Sequence, residues 1–356
     1  MIPDCQRPPV RVAIAGLGRA MFSSHYPVYR AHPSLFKVVA ACDLMKERRD
    51  MVERDFPSCK MFRRFSDMLD ERDIDLVDIA TCSVDHAKHA AMSLEHGYWT
   101  LLESPAATEN DDAQLLRGAS AKAKNRLIVL QRGLYAPDYL LALKMISDPR
   151  LGGVYRICVR GLDYIRRDDW QTVKRLGGGA ARYALPDLML QTLRLLGTPP
   201  VQMWSDLKRV ASAGDCEDFV RVCLKTRTHL SAEIEFNGGS IPGAERPSFE
   251  IHGERGVFTV MSGQPTGELV CIDPSFQFKR RRSSVRTPDL SDMHEDVPTI
   301  KETVCLEKGV LHGPSVFWKH LYDTVRTASP FPVQLEESIE ALRISNLTRA
   351  ASPFGS

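Results

Sequence analysis

The chain has 356 residues, 43% hydrophobic and 26% charged, an ordinary globular composition with room for about two domains of roughly 100–200 residues each. Its 47 basic and 45 acidic residues leave a net charge of +2, which excludes the one-signed excess of a general nucleic-acid or membrane-surface binder. No run reaches the ~20 apolar residues of a membrane-spanning helix. Met1–Arg7 lacks a signal-peptide core, and the nine scattered cysteines form no Cys-x-x-Cys pair. These features point to reduced thiols, no zinc site and a cytoplasmic protein.

Val10–Ala15 is an alternating, β-branched strand that runs into Gly16-Leu17-Gly18. A helix over about 20–31 follows, then a strand at Lys37–Cys42 that ends on Asp43. Residues 44–55 read as helix and Leu76–Ala80 as a buried strand. Residues 86–96 are helical and stop at the C-capping Gly97; Trp99–Leu102 is a strand, 109–123 a helix, and Leu127–Leu130 a strand. Strands alternating with helices over residues 1–130 predict a doubly wound parallel sheet, which takes ligands at the carboxyl ends of its strands.

The pattern changes after residue 130. A helix at Pro137–Ser147, a strand at 154–160 and a helix at 180–196 precede strands at 201–210, 217–226, 229–237, 248–252 and 257–261. Asn237-Gly238-Gly239 and Gly253–Gly256 read as hairpin turns. Residues 131–356 therefore predict an α+β domain with a large, mostly antiparallel sheet and helices on one face. Lys279–Arg282 reads as a solvated basic run and residues 283–300 as a mobile polar loop. Helices at 314–327 and 336–350 close the chain and are expected to pack back on the first domain.

Gly16-x-Gly18-x-x-Met21 sits between a strand and a helix. Gly16 permits a tight turn, Gly18 lets a pyrophosphate approach the backbone, and Arg19 and Ala20 open a helix whose free N–H groups attract phosphate. Asp43 ends the next strand, where a carboxylate binds a ribose hydroxyl pair and repels a 2′-phosphate, so NAD is favoured over NADP. The third glycine position, normally one of close helix–strand packing, holds Met21.

Several later segments carry a resemblance. Asp78–His86 resembles a Thr-Pro-Asn-x-x-His turn, and Gly97–Pro105 a strand ending in Glu-Lys-Pro. Gly152-Gly153, Gly177-Gly178-Gly179 and Gly253-x-x-Gly256 fit the same pattern. From about Val10 to Ser352 the chain resembles the glucose–fructose oxidoreductase, inositol dehydrogenase and MocA family. The resemblance implies a Rossmann domain, an α/β substrate domain and hydride transfer on sugars or polyols. It further implies Thr81, His86 and Glu103 beside the cofactor, and a homodimer or homotetramer built through the second sheet.

The family's usual lysine, aspartate and histidine positions are Ser104, Tyr183 and Asp187 here, and a further acidic position is Leu190. An alcohol must lose its O–H proton as hydride leaves carbon, so Tyr183 or Asp187 is expected to take over acid/base work, with Lys174 as a further candidate. Ser104, Asp169 and Trp170 are candidate substrate contacts, since a tryptophan in a polar loop suits sugar stacking. Tyr164, Arg166 and Arg167 lie in the same stretch. His25 reads as a packing residue, and His89 and His96 as facing solvent. Two other functions stay open: an inactive cofactor-binding relative, and a glycoside hydrolase or lyase that uses bound NAD transiently.

Overall fold

The computed structural model describes residues 7–278, 296–352 and 354. The basic run Lys279–Arg282 and residues 283–295 of the polar loop lie outside the described residues. Among the described residues no helix is long and apolar enough to cross a membrane.

Strands β1 (Val10–Ala15), β2 (Phe36–Cys42), β3 (Lys60–Phe62), β4 (Leu76–Ile79), β5 (Trp99–Leu102) and β6 (Leu127–Val129) form a parallel sheet in the order β3-β2-β1-β4-β5-β6. Both faces of β1 are buried, as expected of a sheet covered on two sides. The small Ala13 and Ala15 face one layer, where α4 (His86–Glu95) and α5 (Asn110–Lys122) bring Ala87, Ala90, Ala113 and Leu116. α3 (Phe65–Leu69) adds Phe65 and Met68 to that layer. Val12 and Ile14 face the other, with α1 (Tyr26–Ala31) and α2 (Lys46–Asp55).

The second sheet holds β7 (Val154–Leu162), β8 (Pro200–Lys208), β9 (Phe219–Thr226), β10 (Ser231–Asn237), β11 (Phe249–Gly253), β12 (Gly256–Val260), β13 (Thr266–Ile272) and β14 (Thr299–Cys305). Its order is β14-β13-β12-β11-β7-β10-β9-β8. Ile157, Val159, Val222, Ile234 and Ile251 turn one face inward, toward α6 (Pro137–Met145), α7 (Ala180–Tyr183) and α8 (Leu185–Leu196). The alternate residues carry ion pairs on the other face: Arg156 and Arg221 on Glu233, and Arg160 on Glu250. There Cys158, Glu250 and His252 offer ligand atoms within 4.8 Å of one another, but Glu250 is already bonded to Arg160 at 2.6 Å and to His252 at 3.1 Å.

α9 (Pro314–Thr327) and α10 (Leu335–Ala350) close the described chain by packing back on the first sheet. Trp318 stands edge-on to Tyr29 at 5.5 Å and to Phe36 at 5.9 Å, while Ile339 and Leu342 enter the alanine-lined layer.

Four local expectations are corrected. The helix expected at 20–31 opens as a π-helical turn, Met21–His25, before α1. The helix expected at 180–196 is two helices meeting at Ala184, because Pro186 has no N–H and belongs to a first helical turn. Asn237-Gly238-Gly239 closes no hairpin: β10 runs parallel to β7, and the following strand β11 pairs with β7 on its other edge. The strands β3, β13 and β14 have too weak an apolar alternation to stand out; β14 also takes the last two residues of the expected loop.

Candidate functional site

β1 ends beside β4, and the turn that leaves β1 demands glycine. Gly16 has φ +83°, and a Cβ there would fall 2.5 Å from the Ala80 carbonyl oxygen. Gly18 is the opposite case: nothing lies within 4 Å of its Cβ position, so the backbone stands open to a ligand. Asp43, at the end of β2, holds this loop in shape. Its Oδ2 accepts from the Leu17 amide at 2.8 Å and from Arg48 at 3.3 Å, and its Oδ1 accepts from the Met45 amide at 2.8 Å. Met21 is wholly buried, and the π-turn that begins there is the kind of helix irregularity often found at functional sites. Ala20 caps this turn. The open Gly18 backbone, the helix behind it and the carboxylate at the next strand end suit a dinucleotide.

Arg19 reaches from this loop to the second domain. Its guanidinium donates to Asp169 at 3.0 Å and to Gln171 at 3.1 Å, and Arg167 bonds the same two side chains. Asp169 also accepts from the Gln171 amide at 3.0 Å, which fixes the short turn that carries the half-buried Trp170. The Gly16–Ala20 loop and the expected substrate loop are thus clasped together.

Thr81, His86, Glu103 and Ser104 stand at the carboxyl ends of β4 and β5. His86 is buried, with one ring nitrogen 2.7 Å from the Pro105 carbonyl and the other 3.1 Å from that of Thr81; burial pushes its pKa down, while both carbonyls act in the opposite sense. The Thr81 hydroxyl lies 3.1 Å from His89, which is half-buried against Phe65 rather than facing solvent; His96 is exposed.

His25 does more than pack. It is wholly buried, with Nδ1 2.8 Å from Asp78 and Nε2 2.8 Å from Glu103. Burial opposes its charge, but the two carboxylates more than offset this and raise its pKa to about 10, so it donates to both as an imidazolium. Burial likewise opposes ionisation of Glu103, yet the bond from His25 holds its carboxyl below the usual range. Tyr29 donates to Asp78 at 2.6 Å, and Arg132 donates to Glu103 at 3.1 Å. Sequence reading missed this chain. No spacing signals it, because His25, Asp78, Glu103 and Arg132 come from separate segments.

Asp187 lies in the first turn of α8. Its Oδ1 is buried with no hydrogen-bond partner among the described residues, and Oδ2 is 3.5 Å from Gln191. A Cβ on Gly133 would fall 2.6 Å from Oδ2, so the carboxylate lies against that backbone. Burial raises its pKa to about 6, with Arg132 acting in the opposite sense. Tyr183 is half-buried beneath Arg167 at 4.8 Å and edge-on to Phe236 at 5.8 Å. Burial, with Asp218 and Glu217 nearby, drives its hydroxyl pKa far up, so it stays a protonated phenol. The Lys174 ammonium lies 5.9 Å over the Phe354 ring and its amide donates to Asp215, while Asp187 has Arg132, Gly133 and Gln191 about it.

Known proteins share this organisation. Residues 10–131 match an oxidoreductase family with an NAD-binding Rossmann fold, and residues 139–259 match the GFO/IDH/MocA C-terminal domain. The chain is 27% identical to an uncharacterised oxidoreductase of Schizosaccharomyces pombe over 70% of each chain. It is 23% identical to the scyllo-inositol 2-dehydrogenase (NADP(+)) IolW of Bacillus subtilis, over 94% of this chain and 91% of that one. The WlbA dehydrogenase of Chromobacterium violaceum, solved with NADH and UDP-GlcNAcA, superposes with a TM-score of 0.74 at 18% identity, over 98% of this chain and 96% of that one. With both domains matched in order, the chain belongs to the GFO/IDH/MocA family of NAD(P)-binding oxidoreductases.

Proposed function

We propose that the protein oxidises a hydroxyl of a sugar or polyol derivative, with NAD as hydride acceptor and Asp187 as the proton acceptor. The observation that carries this reading is the place of the half-buried Asp187 carboxylate: it lies against Gly133, with Oδ1 lacking a hydrogen-bond partner among the described residues, and burial raises its pKa beside the charge of Arg132. Gly16, Gly18, Arg19 and Ala20 hold the pyrophosphate, Asp43 the adenosine ribose, and Thr81, His86 and Glu103 shape the nicotinamide side. Bound there, the cofactor supplies the hydride acceptor. The substrate hydroxyl gives its proton to the Asp187 carboxylate, and Ser104, Asp169 and Trp170 line the sugar. Asp43 favours NAD by repelling a 2′-phosphate. Residues 1–130 serve the cofactor and 131–356 the substrate, and the ion-paired outer face of the second sheet joins copies of the chain into a cytoplasmic homodimer or homotetramer.

Titration of the purified protein with NAD(H) and NADP(H), followed by a sugar and polyol panel read by nicotinamide absorbance, tests this. Tighter binding of NAD(H) and turnover that vanishes in Asp187→Asn support it. Binding without turnover of any sugar would favour a catalytically silent relative, the reading that the changes at Ser104 and Tyr183 suggest.

A further inference from the structure

The buried ion pairs behind Glu103 end on a cation at the surface. From the core outward, Tyr29 donates to Asp78 at 2.6 Å, Asp78 accepts from His25 at 2.8 Å, His25 donates to Glu103 at 2.8 Å, and Glu103 accepts from Arg132 at 3.1 Å. Asp78 and His25 are wholly buried, whereas the Arg132 side chain is 44% exposed. Each inner group is fixed by packing, and the last one is presented outward. Arg132 opens the turn after β6, at the carboxyl end of the parallel sheet, and its other terminal nitrogen rests on Ser24. A guanidinium has five N–H donors; Glu103 and Ser24 take one each among the described residues, which leaves three. Asp187 lies near enough to feel its charge, and Ser104, in place of the lysine that the resemblance implies, directly follows Glu103.

We propose that Arg132 is the specificity-determining cation of this site and receives a carboxylate of the substrate, so that the protein acts on an acidic sugar or polyol derivative, a uronate or aldonate, in preference to a neutral one. This rests on the oxidoreductase reading above. A planar guanidinium fork matches a carboxylate with two parallel bonds, whereas an ammonium acts as a point charge. The buried chain behind Arg132 holds the fork in place before the ligand arrives, which lowers the ordering cost of binding. Ser104 adds a neutral hydroxyl where a second cation is no longer required.

Calorimetric titration of the NADH-loaded and the cofactor-free protein with matched pairs tests this: D-glucuronate with D-glucose, D-galacturonate with D-galactose, and D-gluconate with D-glucitol. At least one acid should bind more than about tenfold tighter than its neutral partner, and Arg132→Gln should weaken that acid by about ten- to hundredfold while leaving the neutral sugar unchanged. Arg132→Lys, which keeps the charge and loses the fork, should recover part of the loss. Both variants should keep wild-type circular dichroism. No acid preference in any pair, or a preference that survives in Arg132→Gln, overturns the proposal. Failure of the wild type to bind NADH would instead overturn the oxidoreductase reading, and the cofactor-free titrations would still report on Arg132.

Discussion

Gly16 and Gly18 are two residues apart and fail for different reasons when changed. Gly16→Ala puts a methyl into the Ala80 carbonyl and strains a positive φ, so it should destabilise the fold by at least about 1 kcal/mol in urea titration. Gly18→Ala meets only open space, so its melting temperature should stay near wild type while NADH affinity falls, because the methyl occupies the room a pyrophosphate needs. Asp187 gives a sharper test. The rate of alcohol oxidation should rise with pH through about 6, as the carboxylate forms, and Asp187→Asn should lower it by about a hundredfold or more at all pH values. The folded-state pKa is raised from 3.8, so the protonated form stabilises the protein at low pH and that stability is lost as pH rises through 6. Asp187→Asn should therefore melt higher than wild type near pH 8, a stability gain with a loss of function.

At the scale of elements, α9 supports the site from behind. Its Trp318 stands 5.5 Å from the His25 ring and 5.5 Å from Tyr29, behind the buried ion pairs. Trp318→Ala should cost about 3–5 kcal/mol in denaturant unfolding, because the ring is almost wholly buried. The π-turn at Met21–His25 belongs to the same design: the side chain that replaces the third glycine is buried, and the turn it opens brings His25 between β4 and β5.

For the molecule as a whole, His25 couples stability to pH. Its pKa is raised from 6.5 to about 10, so the stability that its charge contributes is fully present below 6.5 and is lost as pH rises through 10. Melting temperature should fall across that alkaline window in the wild type and change less in His25→Gln, which keeps two polar ends but carries no charge. The Arg19–Asp169 clasp is exposed, with side chains 60% and 33% accessible, so it holds the two domains in register while adding little to stability.

Short-range pattern determined much of this protein. The strand–glycine–helix order placed Gly16 and Gly18 after β1 and Asp43 after β2, on the carboxyl edge of one parallel sheet, because a parallel βαβ unit leaves that edge no other arrangement. The alternation of residues 219–226 and 231–237 likewise announced a sheet with one buried face. The tertiary structure alone decided the charge chemistry. His25, Asp78, Glu103 and Arg132 come from four separate segments, and nothing in their spacing tells that they meet. Tyr183 and Asp187 looked equal as acid/base candidates in sequence. Burial against Phe236 and under Arg167 pushed the phenol out of range, while burial beside Arg132 brought the carboxylate toward neutrality, since desolvation moves each group away from its charged form and only the folded neighbours set how far.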